Sequence, residues 1–486
     1  MKFVIATMRW FMAFLMLGGM SLPALTFTNL HVFSAAHTSP TLPVATNTDG
    51  GFPYARLILS GNTLYGAASG DGVNGIGALF KINTDGTGFT NFLTFSGING
   101  SLTNGDNGGN PQGELTVAGN QLYGTTSGGG TNFSGTVFTI NTDGTGFTNL
   151  YYFSARSKLS PYTNRDGAFP EGGVLLYSNK LYGTTYYGGT HGVGAIFAVG
   201  IDGTGFTNLC NFTGTNGANS DAHLVAAGNT LYGTTFNGGS GVNTNGTIFA
   251  IHTDGTGFTN LHNFSPRGFP YTSNYDGAHP QAGLTLSGHT LYGTAALGGS
   301  IGNGYGTIFT INTDGSGFKN VLNFNFTGGA GPYGELLVSG NTLYGTTTEA
   351  GAHYGGTVFQ VNSDGSNYID LFDFAAVAYN GSAYTNSTGE QPWAGVVSTG
   401  SALYGTTPIG GAGTGTIFAL TLAAPSAVTL NAQSSNGALV LSWTGSTFSL
   451  QSSPTLGGTF TTVPNATSPY LVATTNSQQF YRLQAN

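Results

Sequence analysis

The 486 residues include 82 glycines but only 30 charged side chains (11 Lys or Arg and 19 Asp or Glu). A charged fraction of 6%, against about 25% in an average soluble domain, predicts a neutral surface rich in hydroxyls and amides. With 39% hydrophobic and 13% aromatic residues the chain has a large core to bury, which excludes disorder. The net charge of −8 is spread along the chain without a basic patch or Lys/Arg run, which excludes nucleic acid as a partner.

From the N-terminus, residues 1–24 read as a signal peptide. Lys2 and Arg9 supply a positive start, Trp10 to Met20 is an apolar run short for a bilayer span, and Ser21-Leu22-Pro23-Ala24 offers a small residue for cleavage. The mature chain is expected to begin near Leu25, to be secreted or displayed at the extracellular surface, and to carry no membrane span. The single cysteine, Cys210, rules out an internal disulfide framework and reads as an ordinary strand residue.

The rest of the chain is dominated by repetition. Leu-Tyr-Gly recurs with its tyrosine at Tyr65, Tyr123, Tyr182, Tyr232, Tyr292, Tyr344 and Tyr404, and a second landmark recurs at Phe80, Phe138, Phe197, Phe249, Phe309, Phe359 and Phe418. Each unit reads as four short strands. An apolar strand such as Leu284-Thr285-Leu286 turns into Leu-Tyr-Gly-Thr-Thr, and a glycine-rich connection leads to a third strand such as Ile308 to Ile311. An Asp-Gly turn, whose glycine supplies the positive φ of a tight hairpin, then gives a fourth strand such as Phe258 to Phe264. Helical periodicity is absent after residue 24. Seven such units predict an all-β fold: a seven-bladed β-propeller over residues 25–422, with four-stranded blades.

The fourth-strand pattern follows only six units, at Phe89, Phe147, Phe206, Phe258, Phe318 and Tyr368. The missing copy, Phe27-Thr28-Asn29-Leu30-His31-Val32-Phe33, stands at the other end of the chain. Pairing it with the seventh unit would close the ring and leave no open blade edge.

Each unit resembles a kelch-type propeller blade. It is more similar still to the GloVer family of bacterial secreted tandem-repeat proteins, built on Leu-Tyr-Gly-Thr-Thr, Gly-Gly, Gly-Thr-(Ile/Val)-Phe and Asp-Gly-Thr-Gly-Phe-Thr, and the resemblance covers about residues 26–422. The first and sixth units depart from it, with Ser69-Gly70-Asp71-Gly72 and Glu349-Ala350-Gly351-Ala352 in place of the diglycine. The resemblance implies a secreted or surface protein with interchangeable C-terminal modules, and it carries no established catalytic residues. Residues 425–486 lack the repeat, read as six short strands around Trp443, and resemble a small fibronectin-III-like or Ig-like sandwich, expected to serve as a spacer or docking module.

In a propeller the connections between blades and the second-to-third loops emerge on one face. Here they are long and variable, as in Ser154 to Gly172, Ser265 to Ala282 and Ala375 to Trp393, and variable loops on a rigid scaffold are where ligands bind. The candidate ligand-binding residues are Tyr162, Tyr186, Tyr187, His191, Phe236, Tyr271, Tyr275, Tyr305, Tyr354 and Trp393, since aromatic faces stack on sugar rings while neighbouring Asn and Thr groups bond the hydroxyls.

Six acids lie in third-to-fourth turns (Asp85, Asp143, Asp202, Asp254, Asp314, Asp364) and five recur before first strands (Asp49, Asp106, Asp166, Asp221, Asp276), a recurrence that speaks for turn and capping roles. Glu171, Glu349 and Glu390 are the acids outside the repeat pattern, and Arg156, Arg165 and Arg267 are the cations placed on the variable face. No catalytic residue is assigned, and no metal or cofactor is expected. The leading expectation is a monomeric, exported, non-catalytic protein that binds neutral glycan or a cell-surface protein through this face. A polysaccharide lyase or hydrolase using the same face, and a structural or adhesive envelope protein, are the alternatives. A tight cluster of Glu, His or Arg at the mouth of that face would favour catalysis, and dispersed aromatics would favour binding.

Overall fold

The computed structural model describes residues 25–38, 45–96, 107–241, 245–266, 274–299, 304–379, 384–422, 430–435, 438–443, 448–454, 459–464, 466–472 and 480–485. Residues 1–24, expected to be a signal peptide, and Asp106, Arg267 and Tyr271 lie outside the described residues. Two compact units are present, residues 27–421 and the C-terminal segment from residue 422.

The larger unit is a β-propeller of seven four-stranded antiparallel sheets among the described residues. In the third, Leu175–Tyr177, Lys180–Thr185, Ala195–Gly200 and Thr207–Asn211 pair in chain order. Cys210 lies within the last of these strands. The other first strands are Ile58–Ser60, Thr116–Ala118, Val225–Ala227, Thr285–Ser287, Leu337–Ser339 and Val397–Ser398. The only helical element among the described residues is the 3₁₀ turn Phe326–Gly328. Short two-stranded hairpins, His37–Thr38 with Ala45–Thr46 and Ala378–Tyr379 with Tyr384–Thr385, rise from two of the long connections.

The two sequence landmarks are partners across the sheet. Gly183 of Leu-Tyr-Gly pairs with Phe197, and a Cβ on that glycine would lie 2.6 Å from Phe197 Cζ. The glycine is what lets the third-strand phenylalanine lie flat across the second strand. The buried rings form the junctions between sheets, such as Phe153 with Val174 and Phe197, or Phe264 with Leu284 and Phe309.

The displaced strand closes the ring. Thr26–Val32 is the outer strand of the seventh sheet, beside Thr416–Thr421. The Phe33 amide donates to Gly415 O at 3.1 Å, and the Thr414 hydroxyl donates to Ser34 O at 2.9 Å. This strand also ties the sheet to both neighbours. Phe27 stacks on Phe372 of the sixth sheet at 4.0 Å, and His31 stacks on Phe89 of the first at 3.5 Å.

The recurrent acids divide by environment. Each described third-to-fourth turn acid accepts bonds from the backbone N–H and hydroxyl two residues on, as Asp85 does from Thr87 at 2.9 and 2.7 Å. Those bonds hold its pKa below the ordinary value. Asp49, Asp166 and Asp276 accept from the amides of Ser34, Ser154 and Ser265 at the outlets of fourth strands. Asp221 does not belong with them, although it also precedes a first strand: it lines the axial cavity described below.

The C-terminal unit has two three-stranded sheets, Asn431–Ser435 with Ala438–Ser442 and Tyr470–Val472, and Thr461–Thr462 with Phe448–Ser453 and Phe480–Ala485. They share a small core of Leu441, Trp443 and Leu450.

Candidate functional site at the propeller axis

Just before each first strand the chain repeats a frame of proline, a variable residue, Gly or Ala, a second variable residue and Leu or Val. It is seen as Pro53-Tyr54-Ala55-Arg56-Leu57, Pro170-Glu171-Gly172-Gly173-Val174 and Pro392-Trp393-Ala394-Gly395-Val396, with Ser220 replacing proline in the fourth unit. These seven segments line a cavity of about 440 Å³ at the axis, on the end of the ring that receives the blade-to-blade connections.

The small middle residue has a packing cause. A Cβ on Gly172 would lie 2.6 Å from Asp221 O of the next segment, so the segments pack backbone to backbone. The middle carbonyl also accepts a hydroxyl bond from the preceding blade. Thr125 donates to Gly172, Thr184 to Ala222, Thr234 to Ala282, Thr294 to Gly334 and Thr346 to Ala394, over 2.8 to 3.2 Å. Thr406 of the seventh blade donates to Ala55 of the first at 3.3 Å, across 351 positions of sequence. The first Thr of Leu-Tyr-Gly-Thr-Thr therefore fixes the cavity wall.

The first variable position runs around the ring as Tyr54, Gln112, Glu171, Asp221, Gln281, Tyr333 and Trp393. The three aromatics come from adjacent blades, the sixth, seventh and first, and form one wall. Trp393 stacks on Tyr333 at 4.5 Å and meets Tyr54 edge-on at 5.9 Å. In a seven-membered ring the seventh blade lies opposite the third and fourth, so this wall faces Glu171 and Asp221.

The second variable position supplies Arg56, Glu114, His223 and Glu335, with glycine in the remaining blades. Arg56 ties four blades together: its Nη1 lies 3.2 Å from Glu335 and 3.8 Å from Glu114, and its Nη2 donates to Val396 O at 3.3 Å. Thr285 donates a further bond to Glu335 at 3.2 Å. His223 Nε2 lies 3.3 Å from Val174 O.

Burial decides the charge state. It works against the Arg56 cation, but the Glu114 and Glu335 carboxylates outweigh it and hold the guanidinium pKa above its ordinary value. Burial pushes Glu171 up to about 7. It lifts Asp221 well above the carboxylate range, with the Glu171 charge adding to the effect. Glu114 is raised by burial against the opposing pull of Arg56. A side-chain hydrogen bond from Gln281 acts on the Asp221 carboxyl against the effect of burial, while its buried Oδ1 receives no hydrogen bond from the described residues.

A stability experiment reads the Glu171 shift. The folded protein keeps this proton between about pH 4.5 and 7 while the unfolded chain loses it, so stability falls as pH rises through that window, by about 3 kcal/mol at about 1.36 kcal/mol per pKa unit. Urea unfolding across pH 4 to 8 should show this decline together with one of the same sign from Asp221, and Glu171→Gln should make it shallower.

Of the candidate ligand-binding residues picked out by sequence, Trp393 alone lines the cavity. Tyr186 is near enough to Asp221 and Glu171 for their charges to add to burial in raising its hydroxyl to about 12. Tyr162 and Tyr187 lie with Phe169 around the Arg156 guanidinium, 4.4 to 5.7 Å from the ring centres, and pack a long loop. His191 contacts Thr190, Phe236 stacks on His279 at 4.5 Å, and Tyr305 and Tyr354 flank Phe326. Tyr275 is 88% exposed. The set is scattered over several blades, and Tyr271 is outside the described residues. Among the acids, Glu171 belongs to the cavity, Glu349 is exposed, and Glu390 accepts a bond from the Val377 amide. Arg56, Glu114, His223 and Glu335 were missed. The signal that would have found them is the constant frame around two changing positions.

The sequence pattern of the Gloeobacter/Verrucomicrobia repeat matches residues 156–302 and 267–386. No curated protein is significantly similar in sequence. Among solved structures, the chain is similar to oligogalacturonate lyase from Vibrio parahaemolyticus, with 11% identity and a TM-score of 0.47 over 84% of this chain and 98% of that one. It is also similar to the GH74 enzyme of Niastella koreensis, with 18% identity and a TM-score of 0.48 over 86% of this chain and 59% of that one. At these identities the likeness is one of fold. The blades between residues 156 and 386 are Gloeobacter/Verrucomicrobia repeats.

Proposed function

We propose that this is an exported carbohydrate-binding protein whose site is the axial cavity. The observation that carries the reading is the wall of Tyr54, Trp393 and Tyr333 facing an arc of Gln112, Glu171, Asp221 and Gln281. An aromatic wall takes the C–H face of a sugar ring, and amides and carboxyls opposite it bond the hydroxyls. Export is supported by the charged and apolar run ahead of Leu25. Removal of residues 1–24 would leave the ring-closing strand intact, and the C-terminal unit serves as a spacer. The test is a glycan array with the purified protein, repeated with Trp393→Ala. Trp393→Ala should weaken binding at least tenfold, while Tyr162→Ala and Tyr275→Ala should leave it unchanged. Binding indifferent to Trp393 would remove the axial site from the reading.

A second reading, cleavage of a glycosidic bond in the same cavity, is favoured by the neighbouring Glu171 and Asp221 and by the cluster of Arg56, Glu114, His223 and Glu335 beside them, the kind of cluster expected to favour catalysis. One carboxyl held protonated beside another that ionises near neutrality is what acid–base cleavage requires. New reducing ends, abolished by Glu171→Gln, would establish it.

A further inference from the structure

We infer that the axial cavity selects a carbohydrate bearing free ring amino groups, a glucosamine-type chain, over N-acetylated, uncharged or uronic sugars. This rests on the carbohydrate reading above and names the class of ligand.

Acidic groups outnumber basic ones in the cavity. Four carboxyl groups, Glu114, Glu171, Asp221 and Glu335, face a single guanidinium in the cavity. That guanidinium is already committed to Glu335, Glu114 and the Val396 carbonyl. A uronate would add a carboxylate to this group, where His223, beside the Val174 carbonyl, is the remaining basic side chain of the lining. An uncharged sugar would hydrogen-bond Glu171 and Asp221 in their protonated form and gain nothing from their ionisation.

An ammonium suits the acidic side of the cavity. Its N–H groups supply the donor that the buried Asp221 Oδ1 lacks among the described residues, and its charge compensates Glu171 beside it. Acetylation removes the charge and adds bulk where the ammonium would sit. Because burial keeps Glu171 and Asp221 protonated in the empty site, a bound ammonium should drive protons off both.

The experiment is titration calorimetry of the full chain at pH 6.5 with four tetramers: glucosamine, N-acetylglucosamine, cellotetraose and tetragalacturonate. The glucosamine tetramer should bind at least tenfold more tightly than the others, and repetition in phosphate and HEPES should reveal proton release. In Glu171→Gln and Asp221→Asn the preference for the glucosamine tetramer over cellotetraose should vanish, whatever either change does to binding as a whole. Equal affinity for the glucosamine and N-acetylglucosamine tetramers, or tightest binding of tetragalacturonate, overturns the inference and leaves the carbohydrate reading standing. If no tetramer binds and the glycan array is also blank, the carbohydrate reading falls and this inference with it. The wild-type comparison alone decides the matter should either variant fail to fold.

Discussion

A chain lacking residues 25–34 is expected to lose its cooperative unfolding transition. The segment supplies the outer strand of the seventh sheet, and without it Thr416–Thr421 becomes an open edge with unpaired backbone groups. It also removes aromatic contacts on both sides of that sheet, Phe27 with Phe372 and Phe374 on one and His31 and Phe33 with Phe89 on the other. Phe33 is fully buried, and truncating a phenylalanine in such a core costs about 3 to 5 kcal/mol. That single loss is a large part of the roughly 5 to 15 kcal/mol that holds an ordinary domain together. Phe33→Ala should therefore lower the urea midpoint strongly, and the deletion should give a broad transition and an aggregation-prone product. Supplying a peptide of residues 25–36 in trans should restore part of the cooperativity. A deleted chain that melted within a few degrees of its parent would show that the ring does not depend on this closure.

Closure was legible in the sequence because it is a matter of counting: six fourth strands follow seven units, and the missing copy sits at the other end. The landmark residues were legible because each blade repeats the same close approach, glycine against phenylalanine. The cavity was not, because repetition draws the eye to what stays constant, and the axial residues are the ones that change. Arg56, Glu114, His223 and Glu335 occupy equivalent places in four blades, yet along the chain they look unrelated. Asp221 was misplaced for a related reason: it precedes a first strand, as the capping aspartates do, but stands in the axial frame beside Glu171. The loop aromatics looked like a binding surface because side-chain type was all that sequence offered. In three dimensions Tyr162 and Tyr187 cover the Arg156 guanidinium, a packing role that needs the fold to be seen.

Arg56→Ala is expected to be the most damaging point change in the cavity. The side chain is only 17% exposed and its partners Glu114 and Glu335 come from the second and sixth blades, so its removal leaves two enclosed carboxylates facing each other. Removing one partner of a buried ion pair costs about 3 to 5 kcal/mol, whereas replacing the whole group by apolar or neutral residues is often nearly neutral. The triple variant Arg56→Met, Glu114→Gln, Glu335→Gln should therefore recover most of the stability that Arg56→Ala loses. The sign of the pH dependence follows from Glu114, whose pKa is raised by burial and pulled down by Arg56. Without the guanidinium it rises further, so the folded variant holds a proton that the unfolded chain releases. The defect should then be smallest below the pH at which unfolded carboxyls ionise and should grow as pH increases toward 8. Urea unfolding of parent, single and triple variants at pH 4.5 and 8 separates the cases. A defect under about 1 kcal/mol at both pH values, well short of what a buried ion-pair loss costs, would mean that water reaches the Arg56 site freely.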